Sequence, residues 1–288
     1  MIELVVDYQA RLGEGPLWDV KSQRLYWVNI LDGEIHMYEP MTDTNETIKL
    51  DSYVGCVALT ERDELIAGLT DGFYLVNPKT NALTVLERTE EPSLQTRYND
   101  GKCDPSGRFW AGTMSLVGEE KVGALYCMES DHSVRKKIDH VSISNGLAWS
   151  GDHQTMYYID TPERCIFAYD YEIETGEISN QRRVVEIPKE EGSPDGMTID
   201  VDGMLWVAHW GGAQVACWNP FTGEKVRSIA VPALQVTSCT FGGPDLDELY
   251  ITTARNGMTE EQLKQYPQSG GVFRIKLDTR GLAADRFK

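Results

Sequence analysis

The chain has no run approaching ~18 uninterrupted apolar residues, so no transmembrane helix is expected. Met1 to Val6 carry Glu3 and no basic segment ahead of a short apolar run, so they do not read as a secretory signal. Basic residues are scarce: 27 Lys and Arg stand against 45 Asp and Glu in 288 residues, a formal net charge of −18. Such acidity argues against a nucleic-acid partner, because like charges repel and no counterions are released. It is compatible with a cation site. Cysteine is sparse and scattered, at Cys56, Cys103, Cys127, Cys165, Cys217 and Cys239, with no CxxC pair. That spacing gives neither a thiolate zinc site nor a disulfide framework. The thiols are expected to be reduced and buried in a cytoplasmic protein. No Ser-His-Asp order, Gly-x-Ser-x-Gly elbow or phosphate-cradling loop occurs, which argues against a serine esterase and a P-loop nucleotide site. Almost no segment keeps a 3.6-residue apolar period; Thr259 to Tyr266 is the best candidate for one short helix.

What is present is a recurrent pattern. Hydrophobic residues make up 41% and charged residues 25%, enough apolar material for a sizeable core. A polar-plus-Gly start leads to an apolar strand, a turn and a second apolar strand. Glu14-Gly-Pro-Leu-Trp-Asp leads to Arg24-Leu-Tyr-Trp-Val, and Asn145-Gly-Leu-Ala-Trp-Ser leads to Thr155-Met-Tyr-Tyr-Ile. The starts fall at Glu14, Gly55, Asn99, Asn145, Asp195 and Ser238, spaced by 41, 44, 46, 50 and 43 residues. Further strand-like runs usually follow, as at Ile166 to Asp170 and Arg183 to Ile187. Four short strands per repeat of this length is the signature of a propeller blade, which cannot bury its faces alone. The reading is all-β: one six-bladed β-propeller over residues 1–288, with four-stranded antiparallel blades. The last repeat shows three clear strands, at Ser238 to Phe241, Tyr250 to Thr253 and Val272 to Leu277. Ile2 to Val6 is expected to supply its fourth strand and close the ring.

In a propeller the first strand of each blade borders the central channel, and residues in the same repeat phase sit at the same height. Among the six phase-matched positions, Glu14, Asn99, Asn145 and Asp195 are oxygen donors. Asn-Gly and Asp-Gly are also ordinary turn chemistry, so any one of them alone would be a turn. Repeated in phase, two carboxylates and two amides suit a hard divalent cation: Ca²⁺ first, with Mg²⁺, Mn²⁺ or Zn²⁺ as alternatives.

At these residues the sequence resembles the regucalcin (senescence marker protein)/gluconolactonase family. The resemblance runs through Leu12-Gly-Glu-Gly-Pro-Leu-Trp, Arg97-Tyr-Asn-Asp-Gly-Lys-Cys-Asp-Pro-Ser-Gly-Arg, Ala111-Gly-Thr-Met and Ile143-Ser-Asn-Gly-Leu-Ala-Trp-Ser. It continues through Tyr157-Tyr-Ile-Asp, Pro194-Asp-Gly-Met, Leu205-Trp-Val-Ala, Thr237-Ser-Cys-Thr-Phe-Gly-Gly and Ala254-Arg-Asn-Gly-Met. It implies a six-bladed, divalent-metal-dependent sugar lactone hydrolase. It also implies Glu14, Asn145 and Asp195 as direct metal ligands. Asn99 would complete the site or contact substrate, Arg97 and Asp100 would contact substrate, and Asp195 would be the general base. Some members place an acid three residues after the Met of Ala-Gly-Thr-Met. Here that position is Val117, with Glu119 or Glu120 as substitutes in the following loop.

Opening a lactone needs a polarised carbonyl, a positioned water and a stabilised oxyanion. A cation held by Glu14, Asn145 and Asp195 would polarise the carbonyl, with Asp195 providing the base. One tension accompanies this assignment, since a carboxylate on a cation is a weakened base. Arg97 would orient the sugar through its planar fork. Asn29, Met114, Asp160 and His209 with Trp210 end the second strands and are expected to shape the pocket, whereas Trp27, Trp110, Trp149 and Trp206 pack between blades. The expected partner is a small-molecule sugar lactone, with no membrane; whether the chain is monomer or dimer stays open. Two other functions are compatible with these residues: phosphotriester (organophosphate) hydrolysis at the same site, and a non-catalytic calcium-binding regulator.

Overall fold

The computed structural model describes residues 1–89 and 95–288. The chain is built almost wholly of short antiparallel strands. After β1 (Glu3–Val6), the first sheet runs in sequence order through β2 (Gly13–Asp19), β3 (Arg24–Asn29), β4 (Glu34–Glu39) and β5 (Thr44–Lys49). The second holds β6 (Cys56–Leu59), β7 (Leu65–Gly68), β8 (Gly72–Val76) and β9 (Leu83–Arg88). The third holds β10 (Thr96–Cys103), β11 (Phe109–Ser115), β12 (Gly123–Met128) and β13 (Val134–Val141). The fourth holds β14 (Ser144–Trp149), β15 (Thr155–Asp160), β16 (Cys165–Glu172) and β17 (Glu177–Glu186).

The remaining strands are β18 (Ser193–Ile199), β19 (Leu205–Trp210), β20 (Gln214–Trp218), β21 (Lys225–Ala230), β22 (Gln235–Gly242), β23 (Glu248–Ala254) and β24 (Val272–Lys276). They form one eight-stranded, curled sheet with β1 at its edge. Its two halves, β18 to β21 and β22–β23–β24–β1, meet at the pair Trp210 and Gln235. β1 pairs antiparallel with β24, Glu3 opposite Arg274 and Val6 opposite Val272. The expectation for the N-terminal segment matches this pairing, which covers an edge that would otherwise be open. Among the described residues one short α-helix, α1 (Glu260–Gln265), starts at a capping box in which Thr259 and Gln262 bond reciprocally.

Period-2 alternation explains why the sheets stack. On β3, Leu25 and Trp27 face one way and Tyr26 and Val28 the other; the two pairs belong to different apolar layers. On β19, Leu205 and Val207 face the fourth sheet while Trp206 and Ala208 face β22 and β23. Each sheet is therefore apolar on both faces and shares a core with the sheet before and the sheet after. Trp27, Trp110 and Trp206 are fully buried and Trp149 nearly so, each in such a layer. The first strands also touch in order: β2 on β6, β6 on β10, β10 on β14, β14 on β18, β18 on β22, and β22 back on β2. All six cysteines are free and buried. Among the described residues, no helix is long and apolar enough to cross a membrane.

Candidate active site

The site is made by irregularity repeated in phase. The pairing of β2 with β3 shifts register between Glu14 and Leu17. β10 shifts between Tyr98 and Gly101, β14 between Ser144 and Leu147, and β18 between Pro194 and Met197. A bulge leaves a residue unpaired and re-aims its side chain. Here Glu14, Asn99 with Asp100, Asn145 and Asp195 all lie at such shifts, and all are buried. β6 pairs without a shift. The phase-matched Gly55 ahead of it is packed so closely that a Cβ would lie 2.4 Å from the Tyr98 carbonyl oxygen, so this unit has no room for a donor.

Hydrogen bonds between strands far apart in sequence join the two amides and tie Asn145 to the backbone beside Asp195. Asn99 Nδ2 donates to Asn145 Oδ1 at 3.0 Å and to the Ser144 carbonyl at 2.8 Å. Arg97 Nη1 donates to Asn99 Oδ1 at 2.7 Å and to the Tyr98 carbonyl at 2.8 Å. Asn145 Nδ2 donates to Thr161 Oγ1 at 2.7 Å, and that hydroxyl donates to the Pro194 carbonyl beside Asp195 at 2.8 Å. The Glu14 carboxyl lies close enough to Asp195 for its charge to bear on it. The Gly15 N–H also donates to Glu14 Oε2, and the Gly101 N–H to Asp100 Oδ1.

Burial and crowding of like charge set the electrostatics. Burial pushes Glu14 up to about 8, with the neighbouring Asp100 charge adding to the rise. Asp195 is raised well above the carboxylate range by burial, then by Glu14 and Asp100. Asp100 is raised by burial, against the opposing pull of Lys102. Burial lowers Arg97 to about 10, while Glu14, Tyr53 and Asp195 favour its charged form. Two carboxyls buried close together are suited to a divalent cation, which would supply the missing positive charge. The Thr161 contact orients the Asn145 amide and leaves Oδ1 on the Asn99 side. Among the described residues no three His, Cys, Asp or Glu side chains gather into a metal-ligating cluster. The fitting donor set is a mixed one, the carboxyls of Glu14 and Asp195 with the amide oxygen of Asn145 and its partner Asn99.

Met114 is half-buried on β11, opposite Arg97 in register. Three of the residues expected to shape the pocket do something else. Asn29 accepts from the Leu12 N–H and donates to Asp32 and Glu34. Asp160 accepts from the Ser142 and Ile143 N–H groups. His209 bonds the Glu191 carbonyl and stacks on Trp218. Each stands at or next to the end of a second strand and is spent holding a neighbouring loop. Trp210 packs against the apolar layer shared by the first two sheets. Val117, Glu119 and Glu120 are exposed together after β11. Sequence reading missed Thr161 and Lys102, whose Nζ donates to the Met197 carbonyl at 3.0 Å. Neither sits in the repeat phase that exposed the others. A small cavity of about 90 Å³ lies beside Asp100, Lys102, Met197 and Ser238. A larger open cleft of about 710 Å³ is lined by Ser52, Tyr53, Thr70, Gln95 and Thr96, next to Arg97.

Comparison with known proteins identifies the family. The family described as the SMP-30/Gluconolactonase/LRE-like region matches residues 12–255. A Bacillus subtilis (strain 168) protein named as a sugar lactone lactonase, YvrE, is 46% identical over 278 residues, covering 96% of this chain and 95% of that one. Regucalcin of Xenopus laevis is 40% identical over 292 residues, covering 99% and 98% of the two chains. A solved structure from Agrobacterium tumefaciens str. C58, described as a calcium-binding protein, regucalcin, superposes with a TM-score of 0.95 at 27% identity, covering 99% of this chain and 96% of that one. With its bulged strands inside the matched region and identity sustained along almost its whole length, the chain belongs to the SMP-30/gluconolactonase/LRE-like family.

Proposed function

We propose that this protein is a sugar lactone hydrolase that works with one bound divalent cation. The observation that carries this reading is the meeting of Glu14, Asn99, Asn145 and Asp195 from four separate strands, with Arg97 bonded to the same network. The cyclic contacts of the first strands, and apolar layers shared by every successive pair of sheets, support a single six-bladed ring over residues 1–288. The sugar lactone lactonase name of the B. subtilis relative supports the substrate class. The calcium-binding description of the A. tumefaciens protein supports Ca²⁺ as the first cation to test. Six buried free thiols accord with a reducing, cytoplasmic setting.

Glu14, Asn145 and Asp195 would hold the cation, with Asn99 completing the shell or meeting the substrate. When bound, the cation polarises the lactone carbonyl and offsets charge on its oxygen, an effect worth several kcal/mol. Asp195 takes the proton of the attacking water as the carbon–oxygen bond forms. The ring carbon–oxygen bond then breaks, and the proton passes to the departing ring oxygen, giving the open hydroxy acid. Arg97 spends Nη1 inside the network and turns the rest of its guanidinium to sugar hydroxyls, with Asp100 and Met114 beside it.

A panel of aldonolactones followed by acid release, with Ca²⁺, Mg²⁺, Mn²⁺ or Zn²⁺ added, tests the reading. Asp195→Asn and Glu14→Gln are expected to lose at least a hundredfold in turnover with the fold intact. Near-full turnover in either variant, or undiminished hydrolysis after exhaustive chelation, would refute the site. Preference for phosphotriesters over every lactone, or tight calcium binding with no turnover, would replace the proposed function.

A further inference from the structure

The bulge that presents Asp195 is clamped from three sides. β14 presses on one side: a Cβ at Gly146 would lie 2.9 Å from both the Asp195 carbonyl oxygen and the Met197 nitrogen. β22 presses on the other: a Cβ at Gly196 would lie 2.1 Å from Ser238 Oγ. The third restraint comes from the interior of the ring. Lys102 leaves β10 and its Nζ donates to the Met197 carbonyl, 95 residues away in sequence. β10 and β18 are not neighbours, because β14 lies between them and touches both. The bond therefore spans the interior and ends where the register shift of β18 closes. Lys102 and Met197 both line the small cavity of about 90 Å³, which Leu282 to Asp285 bound on another side. A four-carbon stem ending in a compact donor suits a reach of this kind. On the same strand Lys102 also faces the Asp100 carboxylate, whose charge favours the ammonium form that burial opposes.

Resting on the reading of Asp195 given above, we infer that Lys102 is a positioning residue for the reaction, a tether across the ring that fixes the Asp195 bulge. Two full-length variants test it, Lys102→Met and Lys102→Arg, with kinetics on a responsive lactone and hydrogen exchange over residues 193–199. The Met variant is expected to lose at least tenfold in kcat, with KM within twofold and the thermal midpoint within a few degrees. Its exchange over 193–199 should quicken at least fivefold. The Arg variant, which keeps a long donor, should hold at least a third of wild-type kcat and normal exchange. A Met variant within twofold of wild-type kcat, or unchanged exchange over 193–199, overturns the tether. So does a collapse of thermal midpoint in both variants, which would assign Lys102 to the fold alone. The exchange measurement does not depend on turnover, so a failure of the lactonase reading is seen separately, as inactivity of the unaltered protein on every lactone.

Discussion

At Glu14 and Asp195 two carboxyls are buried close together, and that has a thermodynamic consequence. Glu14 titrates near 8 in the folded protein, against an ordinary value of about 4.5. A carboxyl whose folded value is raised stabilises the fold fully below its unfolded value. That contribution disappears as pH climbs through the folded value. Chelated protein is therefore expected to lose several kcal/mol of stability between about pH 4.5 and pH 8, read as a falling thermal midpoint. Saturating Ca²⁺ or Mn²⁺ should flatten the fall, because the cation neutralises the buried carboxylates in place of a proton. A chelated protein whose midpoint holds steady from pH 5 to pH 9 would contradict the close burial of these two acids. Thr161 acts at one remove. Thr161→Val keeps the shape but removes the hydroxyl that holds Asn145 Nδ2 and the Pro194 carbonyl. The expected cost is about 1–3 kcal/mol of stability and roughly a tenfold loss of kcat, compared by thermal melts and lactone kinetics.

The first strands are where sequence and structure can be compared most closely. Repeat phase made Glu14, Asn99, Asn145 and Asp195 legible, because equivalent positions in stacked sheets face a common interior. The same phase did not reveal that these positions are bulges, since Asn-Asp-Gly and Asp-Gly also serve ordinary turns. Thr161 and Lys102 were illegible for a different reason. Their partners are carbonyls on another sheet, and no local pattern encodes a backbone acceptor 33 or 95 residues away. Asn29, Asp160 and His209 misled because the ends of second strands must also secure the adjoining loops. Gly55 shows the reverse case, a phase position emptied of chemistry by close packing. Gly55→Ala places a methyl against Tyr98 and the Asn99 nitrogen, at 2.4 and 2.8 Å. Overpacking of this sort costs about 1–3 kcal/mol. It should also move Asn99, so lactone turnover falls along with the thermal midpoint. A stable variant with unchanged turnover would mean that β6 and β10 separate more easily than their packing suggests.

Over the whole molecule, stability is spread across apolar layers that each need both neighbouring sheets, so restraints joining several sheets matter more than any single pair. Two segments supply them. β1 pairs with β24, at the opposite end of the sequence. Residues 277–288 then cross one face of the molecule. Leu277 and Gly281 donate to the Asp247 and Leu246 carbonyls, and Arg280 accepts from Val201. Arg286 pairs with Asp19 and donates to the Thr60 carbonyl. Phe287 exchanges backbone bonds with Leu59 and Glu61, and Lys288 donates to Gly107. Five of the repeat units are strapped in this way. Phe287 is 3% exposed and packs into the layer between the second and third sheets. Phe287→Ala should cost about 3–5 kcal/mol, as for other buried aromatics. Deleting residues 279–288 should cost at least as much, because it also breaks the Arg286–Asp19 pair and uncovers the cavity beside Lys102. No proposed ligand or base is lost in either variant. Turnover per folded molecule should therefore survive at low temperature while the thermal midpoint drops by several degrees. A deletion that melts like the full chain would show that the apolar layers hold the ring without this strap, and that its many bonds are made at no net gain over water.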